Sequence, residues 1–360
     1  MSPVHATVDL DDVDGLLAAD RDGLLRAASM AGAQVRATGA ALDEGELDGL
    51  RSDAPPRTLI WVAGRGAAET AGCMLAAALG PSVSAPIVIV PEVPPWISTL
   101  DVLIVAGDDP ADPVLVSAAA TGVRRGARVV VAAPYEGPLR DATAGRSVPL
   151  PPRLWVPDDF GLMRYLAAGL AALKVIEPGL QIDLPALADQ LDAEALRNSA
   201  GREMFTNPAK NLADRMAGRD VVLAADNAAT LAVARHGSAV MLRVAHERMA
   251  AVGLADALVA LSGGMGAGGD YETSLFHDEQ IDGPLPHRVR VFVLTTDAER
   301  PMIVARVSGF EDVDVINADD IPDVPETSGP PQADGRPEQQ LAMMAVRLEM
   351  TAVYLRLVRG

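Results

Sequence analysis

The chain has 360 residues and a formal net charge of −19, from 49 acidic and 30 basic residues. It contains no stripe of basic residues interleaved with aromatics, so the sequence predicts no nucleic-acid partner. No uncharged apolar run reaches the roughly 18 residues that cross a bilayer, and the N-terminus has neither a basic n-region nor an apolar h-region. We therefore expect no membrane partner and a cytoplasmic location.

The small number of cysteine and lysine residues limits the kinds of catalytic and metal-binding chemistry that the chain can support. Cys73 is the only cysteine, which excludes an internal disulfide and a cysteine-based metal cluster. Lys174 and Lys210 are the only lysines, so Schiff-base chemistry would need one of these two. No cofactor is predicted, because no Gly-x-Gly-x-x-Gly opens a helix with an acidic residue at the distance that a dinucleotide site requires.

The first half of the chain alternates helical periodicity with apolar runs. Residues 10–39 predict an opening pair of helices, and 113–126 predicts a helix with Pro at its start and Gly at its end. Runs rich in Val, Ile and Leu predict strands at 58–64, 85–91, 101–107 and 127–134. Because these runs are continuous rather than alternating, they predict strands buried on both faces of a parallel, doubly wound α/β sheet.

The second half repeats this pattern in outline. Helices are predicted at 160–176, 184–197, 229–237 and 239–252, and β segments at 220–226, 289–295, 301–307 and 313–318. The stretch 321–340 is rich in Pro, Gly and acidic residues with little to bury, which predicts a mobile linker. The organisation expected from these patterns is N-terminal helices over 1–50, α/β domains over 51–150 and 151–320, the linker, and a docking helix over 341–360.

Several short sequences, taken in order, resemble one family. They are GRGAAETAG (64–72), RRGARVVVAAP (124–134), NPAKNLA (207–213), LFHDEQI (275–281) and TAVYLRLVRG (351–360). Together they resemble the bifunctional phosphoglucose/phosphomannose isomerases, which are built from two sugar isomerase (SIS) domains, and within them a degenerate actinobacterial TobH-like branch. The resemblance implies two SIS-like three-layer αβα domains with a C-terminal helix, aldose–ketose isomerisation of a hexose 6-phosphate, and a homodimer.

The resemblance also implies catalytic positions. The family uses a histidine and a lysine for ring opening and a glutamate to move a proton between C1 and C2. His277 matches the histidine, Tyr354 stands at the lysine position, and Glu247 is a displaced candidate for the glutamate. His277 is followed by Asp278 and Glu279, but consecutive side chains diverge and metal ligands are usually spaced, so no metal site is predicted. A structural loop position is the alternative for His277, a solvated helix face for Glu247, and a helix-packing aromatic for Tyr354.

The ligand-binding positions implied by the resemblance lie in two loops. Gly64, Arg65, Gly66 and Ala67 form the glycine elbow after the first strand, and residues 107–112 occupy the place of a loop that is rich in Ser and Thr in the family and holds the sugar phosphate. Here that loop carries three aspartates, Asp108, Asp109 and Asp112. Each repels a nearby phosphate dianion by on the order of 1 kcal/mol, and Arg65 is the neighbouring cation that could compensate. The alternative for the three aspartates is a solvated turn with favourable charges at a helix start.

Two functional hypotheses follow. The first is a sugar-phosphate isomerase-like protein of the glucose 6-phosphate/mannose 6-phosphate class, with a degenerate site and weak or absent activity. The second is a non-catalytic scaffold that binds a sugar phosphate or a partner, supported by the lost hydroxyl-rich loop, shuttle glutamate and C-terminal lysine. In both, the small-molecule partner is phosphorylated or carbohydrate-derived.

Overall fold

A computed structural model of the chain describes residues 8–64, 66–265, 288–318 and 336–359. Its internal contacts divide it into two compact units. The first unit is Arg26–Leu196, and the second unit combines the residues up to Leu25 with those from Arg197 onward.

The first unit is built on a parallel sheet. Its strands, in the spatial order β2-β1-β3-β4-β5, are β1 (Thr58–Ala63), β2 (Ile87–Val90), β3 (Asp101–Ala106), β4 (Arg128–Ala132) and β5 (Val148–Pro149). The short helix α1 (Val13–Ala19) comes first in the chain and belongs to the second unit. The helices of the first unit are α2 (Leu24–Ala28), α3 (Ala31–Asp43), α4 (Ala67–Leu79), α5 (Pro113–Arg125), α6 (Gly137–Thr143), α7 (Leu162–Ile176) and α8 (Leu184–Arg197). In register, Ile60 pairs with Leu103 and Leu103 with Val129. The doubly wound parallel sheet predicted from the apolar runs is confirmed.

Helices cover both faces of this sheet. Leu103 and Val105 pack against Leu115 and other residues of α5 on one face. On the other face the fully buried Trp61 lies against α4 and α7, where Gly72 and Gly169 leave room for the indole. This arrangement is a three-layer αβα unit.

Helix α5 illustrates why the local sequence folds as it does. Asp112 accepts a hydrogen bond from the Val114 amide at 2.8 Å, so its side chain caps the helix, and Pro113 occupies the first turn. Gly126 ends the helix with a left-handed φ of 78°, a conformation that glycine adopts without steric cost. The predicted helix over 113–126 is confirmed, with Gly126 as its cap.

Helices α7 and α8 belong to the first unit by their contacts. Nearly all of α7 is buried, and it packs on α3 and α4. The contact boundary therefore falls after Leu196, whereas the sequence patterns suggested a boundary after residue 150.

The second unit has its own parallel sheet, in the order β7-β6-β8-β9. Its strands are β6 (Asp220–Ala225), β7 (Ala250–Gly253), β8 (Val289–Leu294) and β9 (Val313–Ile316). Its helices, besides α1, are α9 (Pro208–Met216), α10 (Ala228–Val240), α11 (Leu254–Ser262), α12 (Arg300–Val307) and α13 (Pro337–Arg359). The same α/β class is thus found in both units.

Two predicted elements of the second unit are wrong. Residues 301–307, predicted as β, lie in α12, where Ile303 and Val307 share the buried face and Met302 and Val304 are exposed. The helix predicted over 239–252 ends in a π-helical turn, Met241–Ala245, and His246 then adopts a left-handed φ of 58°. The chain reverses there, and Ala250–Gly253 becomes an edge strand paired with β6.

The C-terminal helix α13 is buried along most of its length and packs on α9 and α10. It begins at Pro337, inside the range predicted as linker, so residues 337–340 are helical. Residues 321–335 of the predicted linker lie outside the described residues.

Candidate functional site

The loops after β1 and β3 lie side by side at the carboxyl edge of the first sheet. From β1 the chain continues to one side of the sheet and from β3 to the other, so this is the switch point where open α/β sheets bind ligands. The Gly64 amide donates to the Ala106 carbonyl at 2.6 Å. A Cβ added to Gly107 would lie 2.5 Å from Cδ1 of Leu115, so that buried side chain would have to shift to admit any other residue.

The predicted glycine elbow lies at this switch point. Gly66 has a φ of 72° and directly precedes Ala67, the first residue of α4. Gly66 has no side chain, so it leaves the first amides of α4 without a side-chain cap. Gly64, Gly66 and Ala67 form this turn, and their part in ligand binding stays a prediction, while Arg65 lies outside the described residues.

Two of the three aspartates after β3 stabilise their own loop. Asp109 accepts a hydrogen bond from the Ala111 amide at 2.8 Å, and Asp112 caps α5. For these two residues the geometry matches the alternative of a turn with helix-capping charge.

Asp108 behaves differently, because its carboxylate accepts hydrogen bonds from α7. Nη2 of Arg164 lies 2.5 Å from Oδ1 of Asp108, and the hydroxyl of Tyr165 donates to the same oxygen. The Arg164 guanidinium also lies over the Tyr165 ring, 4.5 Å from its centroid. Tyr165 is fully buried, and burial raises the pKa of its phenol, so the hydroxyl stays protonated and keeps donating.

This network sets the charge of the site. The Arg164 guanidinium is already neutralised by a carboxylate, so less of its charge is available to a phosphate. Arg164 and Tyr165 are functional candidates that the sequence analysis missed. One signal was available: Arg164 is the only charged residue within 162–173, an otherwise apolar helical stretch.

An open cavity of about 310 Å³ lies beside Asp108 and Arg164. The loop after β5 supplies much of its wall, including Arg153, Leu154 and Trp155. Trp155 is 84% exposed, an unusual state for so large an aromatic side chain.

Two of the predicted catalytic residues, Tyr354 and Glu247, lie in the second unit and not at the switch point of the first sheet. Tyr354, on α13, is fully buried, and its hydroxyl donates to the Asn198 carbonyl at 2.6 Å. Burial raises its pKa, so proton transfer from this hydroxyl is disfavoured. The ammonium of Lys210 lies 5.7 Å from the centroid of its ring. This geometry favours the helix-packing alternative for Tyr354.

Glu247 follows the π-helical turn and the left-handed His246. Its carboxylate forms an ion pair with Arg359 near the end of α13. Glu247 and Tyr354 both belong to the second unit, whereas Gly64, Ala67, Asp108 and Asp109 belong to the first. His277 lies outside the described residues.

Further carboxylates that the sequence analysis did not single out lie at the carboxyl edge of the second sheet. Glu299 accepts hydrogen bonds from Asn227 at 2.6 Å and from Thr296 at 3.2 Å. Nearby, Asp297 accepts from the side chains of Asn317 and Gln340, each at 2.7 Å. These side chains form a bonded polar cluster at the second switch point.

Among the residues that the structure describes, no three His, Cys, Asp or Glu side chains are grouped closely enough to hold a metal ion. In the same ranges no helix combines the length and apolar character that crossing a membrane requires.

Comparison with solved structures identifies the fold. The chain is similar to a putative phosphosugar isomerase from Clostridium difficile, with 12% identity, a TM-score of 0.64, and 94% of this chain and 93% of that chain covered. It is also similar to tagatose-6-phosphate ketose/aldose isomerase from Escherichia coli, with 16% identity, a TM-score of 0.61, and 99% and 96% covered. A glucose-6-phosphate isomerase-like protein from Thermus thermophilus matches at 18% identity and a TM-score of 0.54, with 98% and 94% covered.

The chain therefore has the fold of phosphosugar isomerase structures, with SIS-like αβα units. No protein-family model matches the chain, and no curated protein matches it by sequence. Since these identities are low, the likeness concerns the fold alone.

Proposed function

We propose that this protein is a relative of the glucose 6-phosphate/mannose 6-phosphate aldose–ketose isomerases that binds a carbohydrate derivative and has weak or absent isomerase activity. The observation that carries the proposal is the Asp108–Arg164 pair. In this pair a carboxylate occupies the loop where the resembling family holds a phosphate, on a protein that has a sugar isomerase fold. The degenerate motifs at 64–72 and 275–281 support the TobH-like branch.

The positions proposed for catalysis support reduced activity. The Tyr354 hydroxyl would have to leave the Asn198 carbonyl before it could donate a proton to a substrate, and it carries no positive charge where the family has a lysine. Glu247 would have to leave its ion pair with Arg359 before acting as a base. Both steps add a cost to the isomerisation barrier.

A coupled assay tests the catalytic part of the proposal. Glucose 6-phosphate, fructose 6-phosphate and mannose 6-phosphate are offered separately, and turnover is compared with that of the His277→Ala variant. We expect turnover near background, with any residual rate lost in His277→Ala. Turnover at the rate of an ordinary isomerase, with saturation by a hexose 6-phosphate, would contradict the proposed degeneracy.

The non-catalytic scaffold is the second candidate, favoured by the buried, hydrogen-bonded state of Tyr354. A thermal-shift panel of sugars, sugar phosphates and nucleotides separates the two. A specific shift supports a ligand site, whereas no shift with any compound favours a scaffolding role. The homodimer implied by the resemblance is tested by sedimentation velocity, in which a single monomer boundary would contradict it.

A further inference from the structure

We propose that the cavity beside Asp108 binds an unphosphorylated pyranose, with the Trp155 indole as a stacking surface and the Asp108–Arg164 pair as the hydrogen-bonding group. This inference rests on the proposed function, because it names the class of carbohydrate that the first unit takes. It differs from the resembling family in the chemistry recognised, which is the hydroxyl groups and the C–H face of a sugar ring rather than a phosphate.

Trp155 supplies the apolar surface. Its side chain is 84% exposed although it lines a cavity of about 310 Å³, which is the lower end of the size range of small-molecule sites. Pro152 and Pro157 flank it in the chain and restrict the backbone of this loop. An aromatic ring has a negative face, and the C–H groups on one side of a pyranose carry partial positive charge, so the two surfaces attract and both lose contact with water.

Asp108 and Arg164 supply the polar groups. Their side chains are 28% and 18% exposed, so each keeps some atoms at the surface of the cavity. Most of the surface of each side chain is buried against neighbouring residues. The carboxylate accepts and the guanidinium donates, and neighbouring sugar hydroxyls both donate and accept. The bond from Tyr165 and the contact of Arg164 with its ring hold the pair in place, which reduces the entropy lost on binding.

The charge around the cavity favours an uncharged ligand over a phosphate ester. Arg153, the other cation of the lining, is bonded to Glu44 at 3.0 Å and to Glu46 at 2.6 Å. Each arginine of the lining therefore already faces at least one carboxylate. A neutral pyranose meets no Coulomb repulsion here, whereas a phosphate dianion would meet it from Asp108 and Asp158, the two carboxylates of the lining.

The experiment uses the full chain and two sets of probes, methyl glycosides of glucose, mannose and galactose, and glucose 6-phosphate and mannose 6-phosphate. Binding is measured by calorimetry and by the change in tryptophan emission. We expect at least one methyl glycoside to bind, and the hexose 6-phosphates to bind at least tenfold more weakly. Trp155→Ala should weaken glycoside binding at least tenfold, and Trp155→Phe should retain part of it.

Trp96→Ala is the matched control. Trp96 is 47% exposed in the same unit, but it lies near the amino end of the sheet, where its carbonyl accepts from Arg57, the residue before β1. This variant should bind the glycoside as the wild type does. Unfolding curves of both alanine variants check that each chain is folded, which we expect because both side chains are at the surface.

The outcomes separate this inference from the proposed function. If a hexose 6-phosphate binds as tightly as any glycoside, or if Trp155→Ala binds normally, the inference is wrong while the isomerase relationship stands. If no glycoside binds but a sugar phosphate does, the inference is again wrong and the isomerase relationship again stands. If neither class binds and no isomerisation occurs, the inference and the proposed carbohydrate site are both wrong.

Discussion

Asp108 uses the Arg164 guanidinium that a bound phosphate would otherwise use. Replacing Asp108 with Asn keeps the shape of the side chain and removes its charge, which leaves the guanidinium without its carboxylate. We expect Asp108→Asn to gain affinity for inorganic phosphate and glucose 6-phosphate, by on the order of 1 kcal/mol or about fivefold. Calorimetric titration at low and high salt measures the gain, which should shrink as salt is added.

Asp109→Asn is the control for this prediction. It removes the same charge from the same loop, but the Asp109 carboxylate accepts a hydrogen bond from the Ala111 amide, and among the described residues its bonds involve no arginine. An equal gain in both variants would show that only the net charge of the loop matters. No gain in Asp108→Asn would contradict the role given to Arg164.

Lys210 gives a prediction for pH. It is buried, its ammonium donates to the Ala200 and Arg202 carbonyls at 2.8 and 2.7 Å, and burial lowers its pKa from the usual 10.5. Between the lowered pKa and 10.5 the unfolded chain binds more protons than the folded chain, so this group adds stability as pH rises through that window. The Tm of the wild type minus that of Lys210→Met should therefore increase from neutral pH toward 10.5.

Lys174→Met, which changes the other lysine of the chain, is the comparison variant. Lys174 is only half-buried, so its ammonium keeps contact with water and this variant is the reference for removing a lysine charge that is not buried. A difference for Lys210→Met that stays flat or falls across this range would contradict the cost of burying its charge.

At the scale of residues, the sequence predicts what depends on near neighbours. The cap formed by Asp112 and the turn formed by Asp109 follow from aspartates at the start of a helix. The bond between Asp108 and Arg164 joins residues 56 positions apart, and α7 brings them together only after the sheet has formed. Local pattern carries no information on such a pairing, so the loop was predictable from the sequence but its partner on α7 was not.

The packing of α4 on β1 gives a prediction at the scale of elements. A Cβ at Gly72 would lie 2.6 Å from Cδ1 of the buried Trp61, so the indole or the helix must shift. We expect Gly72→Ala to lower the free energy of unfolding by about 1–3 kcal/mol, as measured by urea denaturation. Gly80→Ala is the matched control, since nothing lies within 4 Å of its added Cβ and its φ is −49°.

The Gly80→Ala control should change stability by less than about 0.5 kcal/mol. Similar losses of unfolding free energy in both variants would show that helix propensity or an effect on the unfolded chain causes the loss, and not a clash with Trp61. A neutral Gly72→Ala would show that α4 can move away from β1 at little cost.

Elements were predictable where composition and periodicity agree. The strands over 58–64 and 101–107 are runs too apolar to face water on either side, and they are central strands of the first sheet. The segment 301–307 has the β-branched composition of a strand, but Ile303 and Val307 are spaced by four, as on a helix face. The residues of the strand Ala250–Gly253 have weak β propensity. They form a strand because they pair with β6, and this tertiary contact outweighs the local preference.

The division of the whole molecule gives a prediction about fragments. The first unit is continuous in sequence and includes α3, α7 and α8 besides its sheet. We expect the fragment Arg26–Leu196 to fold cooperatively when expressed alone, because its core is internal to it. Circular dichroism and urea denaturation measure this.

The comparison fragment is 51–150, the boundaries suggested by the sequence patterns. It lacks α3 and α7, so one face of the sheet, including Trp61, would lose much of its cover. We expect this fragment to aggregate or to unfold without cooperativity. If it folds as well as Arg26–Leu196, the contact boundary after Leu196 does not mark a folding unit.

The second unit is discontinuous, since α1 packs on α13. Ribosomes add roughly 5–20 residues per second, so α1 waits on the order of tens of seconds after its synthesis for α13, the helix on which it packs. During that interval Asp9, Asp11, Asp12 and Asp14 can keep this segment in water. Synthesis order and assembly order therefore differ in this unit, because α1 is made long before the helix against which it settles.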